Sequence, residues 1–296
     1  MAERPQVGFI GAGIMGAPMA GHLLKAGYSV TVHTRTRAKA EPLLSAGAAW
    51  AASPAEAADG ADFLLTIVTD TPDVEQVLFG QGGAATSLAS GAIVVDMTTI
   101  SPSITRTLNE RLEQQGVSLL DAPVTGGDVG AQNGTLTVMC GGSSHAFERA
   151  QPLLQTFGKN VVHVGPSGAG QALKACNQIL CAVNMIGVCE ALTLAEQSGL
   201  DLNTALETLS GGAGGSWAWS QLGTRIANGD LDPAFMVRLI QKDLRIVQET
   251  AQQLSVSLPG TALAQQLFRA VEAQDGGGDR GTQAMINVYR ALRPSR

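Results

Sequence analysis

Residues 7–20 read Val-Gly-Phe-Ile-Gly-Ala-Gly-Ile-Met-Gly-Ala-Pro-Met-Ala, an apolar strand running directly into a glycine turn and then a helix. A dinucleotide pyrophosphate requires that order, because glycines let the backbone approach it and the helix start presents unpaired amides and a positive dipole end. The Gly-x-Gly-x-x-Gly spacing is weak on its own; the surroundings give it meaning. Met19, Leu23 and Leu24 make the helix apolar, Gly27 stops it, and Tyr28 to His33 forms a second strand. Gly11, Ala12, Gly13, Ile14, Met15 and Gly16 are therefore expected to hold a dinucleotide, the alternative being a glycine turn without a ligand.

When this unit binds NAD, an acid closes the second strand about 20 residues beyond the glycines and accepts hydrogen bonds from the adenosine ribose. Here the strand runs into His33-Thr34-Arg35-Thr36-Arg37 instead. A guanidinium binds phosphate oxygens as a planar fork, where a carboxylate would repel them. Thr34, Arg35 and Thr36 are thus expected to hold an adenosine 2′-phosphate, and NADP is expected ahead of NAD. The competing reading is a solvated loop in which Arg35 and Arg37 carry no ligand.

The 296 residues suffice for two domains, and 45% hydrophobic with 15% charged residues leaves ample core. A net charge of −6 offers no basic patch for nucleic acid. The longest apolar stretches contain Lys, Asn, Gln or Glu, and no cleavable signal precedes the first strand, so the expectation is a cytoplasmic protein without a membrane partner. Cys140, Cys176, Cys181 and Cys189 lack metal-ligand spacing and read as small buried apolar residues, and no metal site is expected. All four histidines lie at or before His163. Acid/base chemistry in the second half would need another group.

Further apolar runs follow at Phe63–Val68, Ile93–Met97, Val117–Asp121, Leu136–Met139 and Val161–Val164, with helical periods between them at Ser101–Gln115 and Ser144–Phe157, the latter capped by Ser143 or Ser144. Strands alternating with crossover helices predict an α/β, Rossmann-type doubly wound parallel sheet. Ligands of such sheets bind beyond the carboxyl ends of the strands, so Val68, Thr69, Thr98 and the loop after Asp121 should face one crevice. From Gly168 the pattern becomes helical, first over Gln171 to Gln197, roughly 40 Å at about 1.5 Å per residue. The expected division is a dinucleotide-binding domain over residues 1–164 and an all-helical substrate and oligomerisation domain over 165–296, joined by a helix over about 168–198. Apolar positions most of the way round that helix imply burial on several sides and a homodimer or homotetramer.

Lys174 stands on a mainly apolar face, with Asn177 and Gln178 three and four residues on and hence on the same side. Two readings stand level: a lysine whose burial lowers its pKa toward neutrality so that it exchanges protons near pH 7, or a snorkelling lysine at a helix start. Thr125-Gly126-Gly127 offers a hydroxyl and two amides as a carboxylate cradle, or else a simple tight turn. Lys242-Asp243 lies in a helical stretch, Phe235–Leu254, where such a pair more often forms a solvated face.

Taken together, GFIGAGIMGAPMA at 8–20, DMTTISP at 96–102, DAPVTGG at 121–127, GAGQALKACNQ at 168–178 and QKDL at 241–244 resemble the 3-hydroxyacid (β-hydroxyacid) dehydrogenase family across nearly the whole chain. The resemblance implies reversible, metal-free hydride transfer between a nicotinamide and a short β-hydroxy acid or its semialdehyde. Lys174 matches the family's catalytic lysine. Thr125, Gly126 and Gly127 match the residues that hold the substrate carboxylate, and Asn177 and Gln178 those that orient substrate. Thr98 and Lys242 match cofactor contacts near the nicotinamide, while Asp243 is expected to hold Lys242 or Lys174.

Two departures bear on the substrate. Thr125 replaces the usual serine, and Gln178 stands where many members carry asparagine; the Asn-Gln pair resembles the tartronate semialdehyde (2-hydroxy-3-oxopropionate) reductase branch. That branch carries Asp-His-Ser near its C-terminus, whereas this chain has Gly281-Thr282-Gln283. Trp217 and Trp219, after the glycines from Gly211, are expected to shape the pocket and hint at a larger or more apolar substrate. The expected function is an NADP-dependent reductase most like that branch. The alternatives are a 3-hydroxyisobutyrate dehydrogenase, a glyoxylate/succinic semialdehyde reductase or, more distantly, a non-catalytic NADP-binding protein.

Overall fold

Strands that are apolar at every position, rather than at every second one, belong in a sheet covered on both faces. In the computed structural model, which describes residues 4–293, strands of this kind form the middle of one nine-stranded sheet. Its members are β1 (Gln6–Ile10), β2 (Ser29–His33), β3 (Ala49–Trp50), β4 (Phe63–Thr66), β5 (Ile93–Asp96), β6 (Ser118–Asp121), β7 (Val124–Thr125), β8 (Leu136–Gly141) and β9 (Gly158–Gly165). The order is β3-β2-β1-β4-β5-β6-β8-β7, with β9 also paired to β8. Pairing is parallel from β3 through β6; β8 runs antiparallel to β6 and β7 and parallel to β9. Alternate residues feed two separate cores: Val7, Phe9, Phe63, Leu65, Ile93 and Val95 enter one, and Ile10, Leu64 and Val94 the other. This is the expected doubly wound sheet, with two short strands, β3 and β7, added to the predicted set.

Punctuation follows the sequence closely. Helix Gly16–Lys25 ends at Ala26, and Gly27 takes φ +83°, the left-handed value that releases a chain from a helix. Ser143 Oγ accepts from Ala146 N at 3.1 Å to cap Ser144–Leu154. The helix predicted over Ser101–Gln115 spans Pro102–Glu113.

The chain divides into two compact units, Met1–Lys174 and Ala175–Arg296. The division falls inside the connecting helix, Ala169–Gln197, whose first turn is bonded to Asp121 at the end of β6 and to Ile100 in the loop after β5. By length and composition this helix could span a bilayer, and 39% of its most apolar window is buried inside the protein. The second unit is helical, apart from one isolated bridge between Met236 and Gly281. Its core joins Met185, Cys189 and Leu192 to Leu206, Trp219, Ile240, Leu244 and Phe268. Of the cysteines, Cys140 and Cys189 are buried, with burial pushing each thiol up to about 12. Cys176 and Cys181 are exposed, against the expectation that all four are core residues. They lie, like Leu180, on a side of the connecting helix that the chain leaves open to solvent.

Candidate active site

In the first unit, the three glycines of the opening turn have different duties. A Cβ on Gly11, at φ +109°, would stand 2.0 Å from the Ile67 carbonyl oxygen, and one on Gly16 would stand 1.9 Å from that of Gly11. Both are therefore required by packing. Gly13 faces open space, with nothing within 4 Å of its missing Cβ, and so leaves a path for a ligand to reach the backbone. The helix it precedes has no side-chain cap, and the first-turn amides of a helix are the groups that bind anions. Ile14 is exposed and Met15 packs on the core. These features fit a dinucleotide.

At the end of β2 the Arg35 side chain is 80% exposed and pairs with Asp73 at 3.4 Å, a contact of the kind that contributes little and yields readily to a better partner. Arg37 pairs with Glu41 and lies 5.3 Å over the Trp50 ring. Thr34 and Thr36 flank Arg35.

Buried polar groups join the ends of the central strands. Asp96 and Asp121 are register partners at the carboxyl ends of β5 and β6. Asp96 Oδ1 accepts from Thr66 Oγ1 (2.8 Å) and Thr98 N (3.1 Å), while Oδ2 is buried without a hydrogen-bond partner. Burial pushes this carboxyl from 3.8 up to about 6, against the hydrogen bonds from Thr98 and Thr66 and with a small push from the Asp121 charge. Asp121 is also raised by burial, and Gly168 N (2.8 Å) and Gln171 N (3.0 Å) donate to it, which caps the connecting helix. Thr98 accepts from Val68 N through its hydroxyl at 3.0 Å, which ties two of the expected cofactor residues together; Thr69 follows on the exposed side.

One turn into the connecting helix, Lys174 is 7% exposed and its Nζ donates to the Val124 carbonyl at 2.9 Å. That carbonyl belongs to β7, beside Thr125, Gly126 and Gly127, so the first unit brings lysine and expected cradle together. Gly126 and Gly127 have φ +130° and +66°, and Gly127 has open space on its Cβ side.

In the second unit, Asn177 Nδ2 donates to Gln178 Oε1 at 2.7 Å, and Gln178 Nε2 donates to Asp243 Oδ2. The Lys242 ammonium pairs with Asp243 Oδ1 at 2.8 Å. Asp243 thus holds Lys242 and Gln178 in one buried chain, not the solvated face that helical spacing favours. Trp217 is 67% exposed, whereas Trp219 is buried in the helical core with its indole N–H donating to the Leu206 carbonyl. The expectation that both tryptophans shape a pocket is corrected for Trp219, which packs with Leu206 and Leu222. Gln283 is buried and donates to the Asp230 and Asp232 carbonyls. Gln171, Asp96 and the capping use of Asp121 are not apparent from sequence patterns, because their partners lie 71, 30 and 47 residues away.

A doubly wound sheet with an open glycine turn at its first strand and a buried lysine near its carboxyl ends fits a nicotinamide-dependent oxidoreductase. Residues 6–165 match the family described as the NAD binding domain of 6-phosphogluconate dehydrogenase, and residues 168–289 that described as NAD-binding of NADP-dependent 3-hydroxyisobutyrate dehydrogenase. Among curated relatives, the chain is 40% identical to a 2-hydroxy-3-oxopropionate reductase of Escherichia coli, covering 97% of this chain and 98% of the relative. It is 39% identical to an NAD-dependent L-serine dehydrogenase of Pseudomonas aeruginosa, with 91% and 93% covered. A solved structure of Mycobacterium tuberculosis 3-hydroxyisobutyrate dehydrogenase with L-serine is 30% identical, with a TM-score of 0.90 over 97% of this chain and 100% of that one. The chain belongs to the 3-hydroxyacid dehydrogenase family, whose members act on hydroxyl groups with a nicotinamide cofactor.

Proposed function

We propose that the protein interconverts 2-hydroxy-3-oxopropionate and its hydroxy acid, with NADPH preferred as reductant and Lys174 as the acid/base. When bound, the nicotinamide supplies or takes the hydride. Lys174 gives a proton to the carbonyl oxygen in reduction and takes the hydroxyl proton in oxidation. Thr125, Gly126 and Gly127 hold the substrate carboxylate, while Asn177 and Gln178 orient the substrate and Trp217 adds an apolar wall. Gly11, Ala12, Gly13, Ile14, Met15 and Gly16 hold the pyrophosphate end, Thr34, Arg35 and Thr36 the adenosine phosphate, and Val68, Thr69, Thr98 and Lys242 the nicotinamide end, with Asp243 anchoring Lys242. The observation that carries this reading is the 2.9 Å bond from Lys174 Nζ to the Val124 carbonyl, which holds a buried ammonium one residue from Thr125. The Asn177-Gln178 pair and the 40% identical reductase support the substrate. The arginine at the end of β2 supports NADP, although one relative is named for NAD.

A second reading, a 3-hydroxyisobutyrate dehydrogenase, is favoured by one feature. Gln283 is committed to the carbonyls of Asp230 and Asp232, in a segment where the first branch carries Asp-His-Ser. Exposed Leu180 and Leu194 on the connecting helix support a homodimer or homotetramer, and a cytoplasmic location accompanies the reading. Steady-state rates with 2-hydroxy-3-oxopropionate, methylmalonate semialdehyde, succinic semialdehyde and glyoxylate, each with NADPH and NADH, test the proposal. The highest kcat/KM is expected for 2-hydroxy-3-oxopropionate with NADPH; a higher value for methylmalonate semialdehyde selects the second reading, and no turnover with any pair overturns both.

A further inference from the structure

An acid/base group works only if its proton lies within hydrogen-bond reach of the reacting atom, and a displacement of about 1 Å can cost about 10² in rate. Something must therefore fix the connecting helix along its axis where Lys174 leaves it. Packing sets the first turn against the sheet, where a Cβ on Gly170 would stand 2.3 Å from the Met139 carbonyl oxygen, and helix ends also carry backbone amides with no partner of their own. Two of these, Gly168 N and Gln171 N, are bonded to Asp121. The third fixing point is a side chain. Gln171 is 1% exposed, its Nε2 donates to the Thr98 carbonyl at 2.7 Å, and its Oε1 accepts from Ile100 N at 3.1 Å.

We propose that Gln171 is a positioning residue for Lys174: its buried amide locks the first turn of the connecting helix to the loop after β5, and so sets where the ammonium lies relative to Thr98. The inference rests on Lys174 being the acid/base. Three residues separate the two, a rise of about 4.5 Å and most of one turn, so any slip at Gln171 is passed to Lys174 nearly unchanged. The loop itself is held from the other side: Thr98 N bonds to Asp96, and the Thr98 hydroxyl accepts from Val68 N. Gln171 thus joins the lysine's helix to a loop already anchored to β4 and β5. The chemistry explains the residue type. A buried carbonyl and a buried N–H two residues apart both need partners, and an amide side chain supplies one acceptor and one donor on a single carbon. Glutamate could accept from Ile100 N but would face the Thr98 carbonyl with negative charge, and asparagine is one methylene short.

The test is a double-mutant cycle on the full-length protein, with NADPH and 2-hydroxy-3-oxopropionate as probes. Gln171→Ala is expected to lower kcat by about 10- to 100-fold, with NADPH affinity, read by nucleotide fluorescence, unchanged. In a Lys174→Ala background the same change should lower kcat no further, since there is no ammonium left to misplace. Gln171→Glu should be as impaired as Gln171→Ala. Multiplicative losses in the double mutant, or a parallel loss of NADPH affinity, would show a merely structural residue and overturn the proposal. Lys174→Ala with undiminished kcat would instead overturn the acid/base reading, and the positioning role with it. If Gln171→Ala does not fold, Gln171→Asn, which keeps an amide, carries the same cycle with the same two outcomes.

Discussion

Exchanging single glycines for alanine in the opening turn separates packing from ligand binding, because Gly13 and Gly16 sit three residues apart in opposite circumstances. A Cβ on Gly16 would lie 1.9 Å from the Gly11 carbonyl oxygen and 2.8 Å from Ile67 Cγ2. The oxygen is backbone and cannot rotate aside, so restoring contact requires the turn to move by about 1.5 Å, at an overpacking cost of about 1–3 kcal/mol. For a unit the size of Met1–Lys174, at about 2–4 °C per kcal/mol, Gly16→Ala should lower Tm by roughly 2–12 °C. Gly13→Ala meets nothing and has no left-handed φ to strain. Its stability should be unchanged or higher by about 0.4–1 kcal/mol through the unfolded chain. If this turn holds the cofactor, the added methyl stands where a pyrophosphate must approach. NADPH at 100 times the wild-type Kd stabilises by about 2.7 kcal/mol, and each tenfold loss of affinity removes about 1.4 kcal/mol of that. Thermal melts with and without NADPH measure both quantities. Gly13→Ala should keep the apo Tm and lose at least half of the NADPH-induced shift; a full shift would refute the assignment of this turn to the cofactor.

Replacing Arg35 with alanine should raise the KM for NADPH much more than that for NADH, since the guanidinium has only a weak exposed partner in Asp73 to lose; equal effects would remove the 2′-phosphate from this loop. Asp96 predicts a pH dependence of stability. Its carboxyl binds a proton more tightly in the folded chain, at about 6, than at the ordinary 3.8. Its stabilising contribution is therefore complete below about pH 4 and is lost as pH rises to about 6, by about 3 kcal/mol at most. In urea melts across that window, Asp96→Asn should flatten the curve relative to wild type, whereas parallel curves would show that the carboxyl does not titrate there.

What can be read from the sequence follows the range of the interactions involved. The glycine turn, the helix after it and the connecting helix are local patterns, and their predicted bounds lie within about two residues of those observed. Strands β3 and β7 have two residues each, too few to show any period, and exist only because neighbouring strands pair with them. Asp121 is visible as the end of a strand, but its duty at the start of the connecting helix spans 47 and 50 residues of sequence. Gln171 reaches across 71 and 73 residues to the loop after β5. Trp219 reads as a partner to Trp217 because the two are adjacent but one; the π-helical turn Ala218–Gly223 carries it into the core instead.

In the proposed reaction the Lys174 ammonium, bonded to the Val124 carbonyl, moves the proton. Turnover of Lys174→Ala, measured alongside its NADPH dissociation constant, tests that most directly. The expected result is a kcat lower by about 10²–10⁴ with NADPH still bound at wild-type affinity. Wild-type turnover, or a variant that no longer binds NADPH, would contradict it.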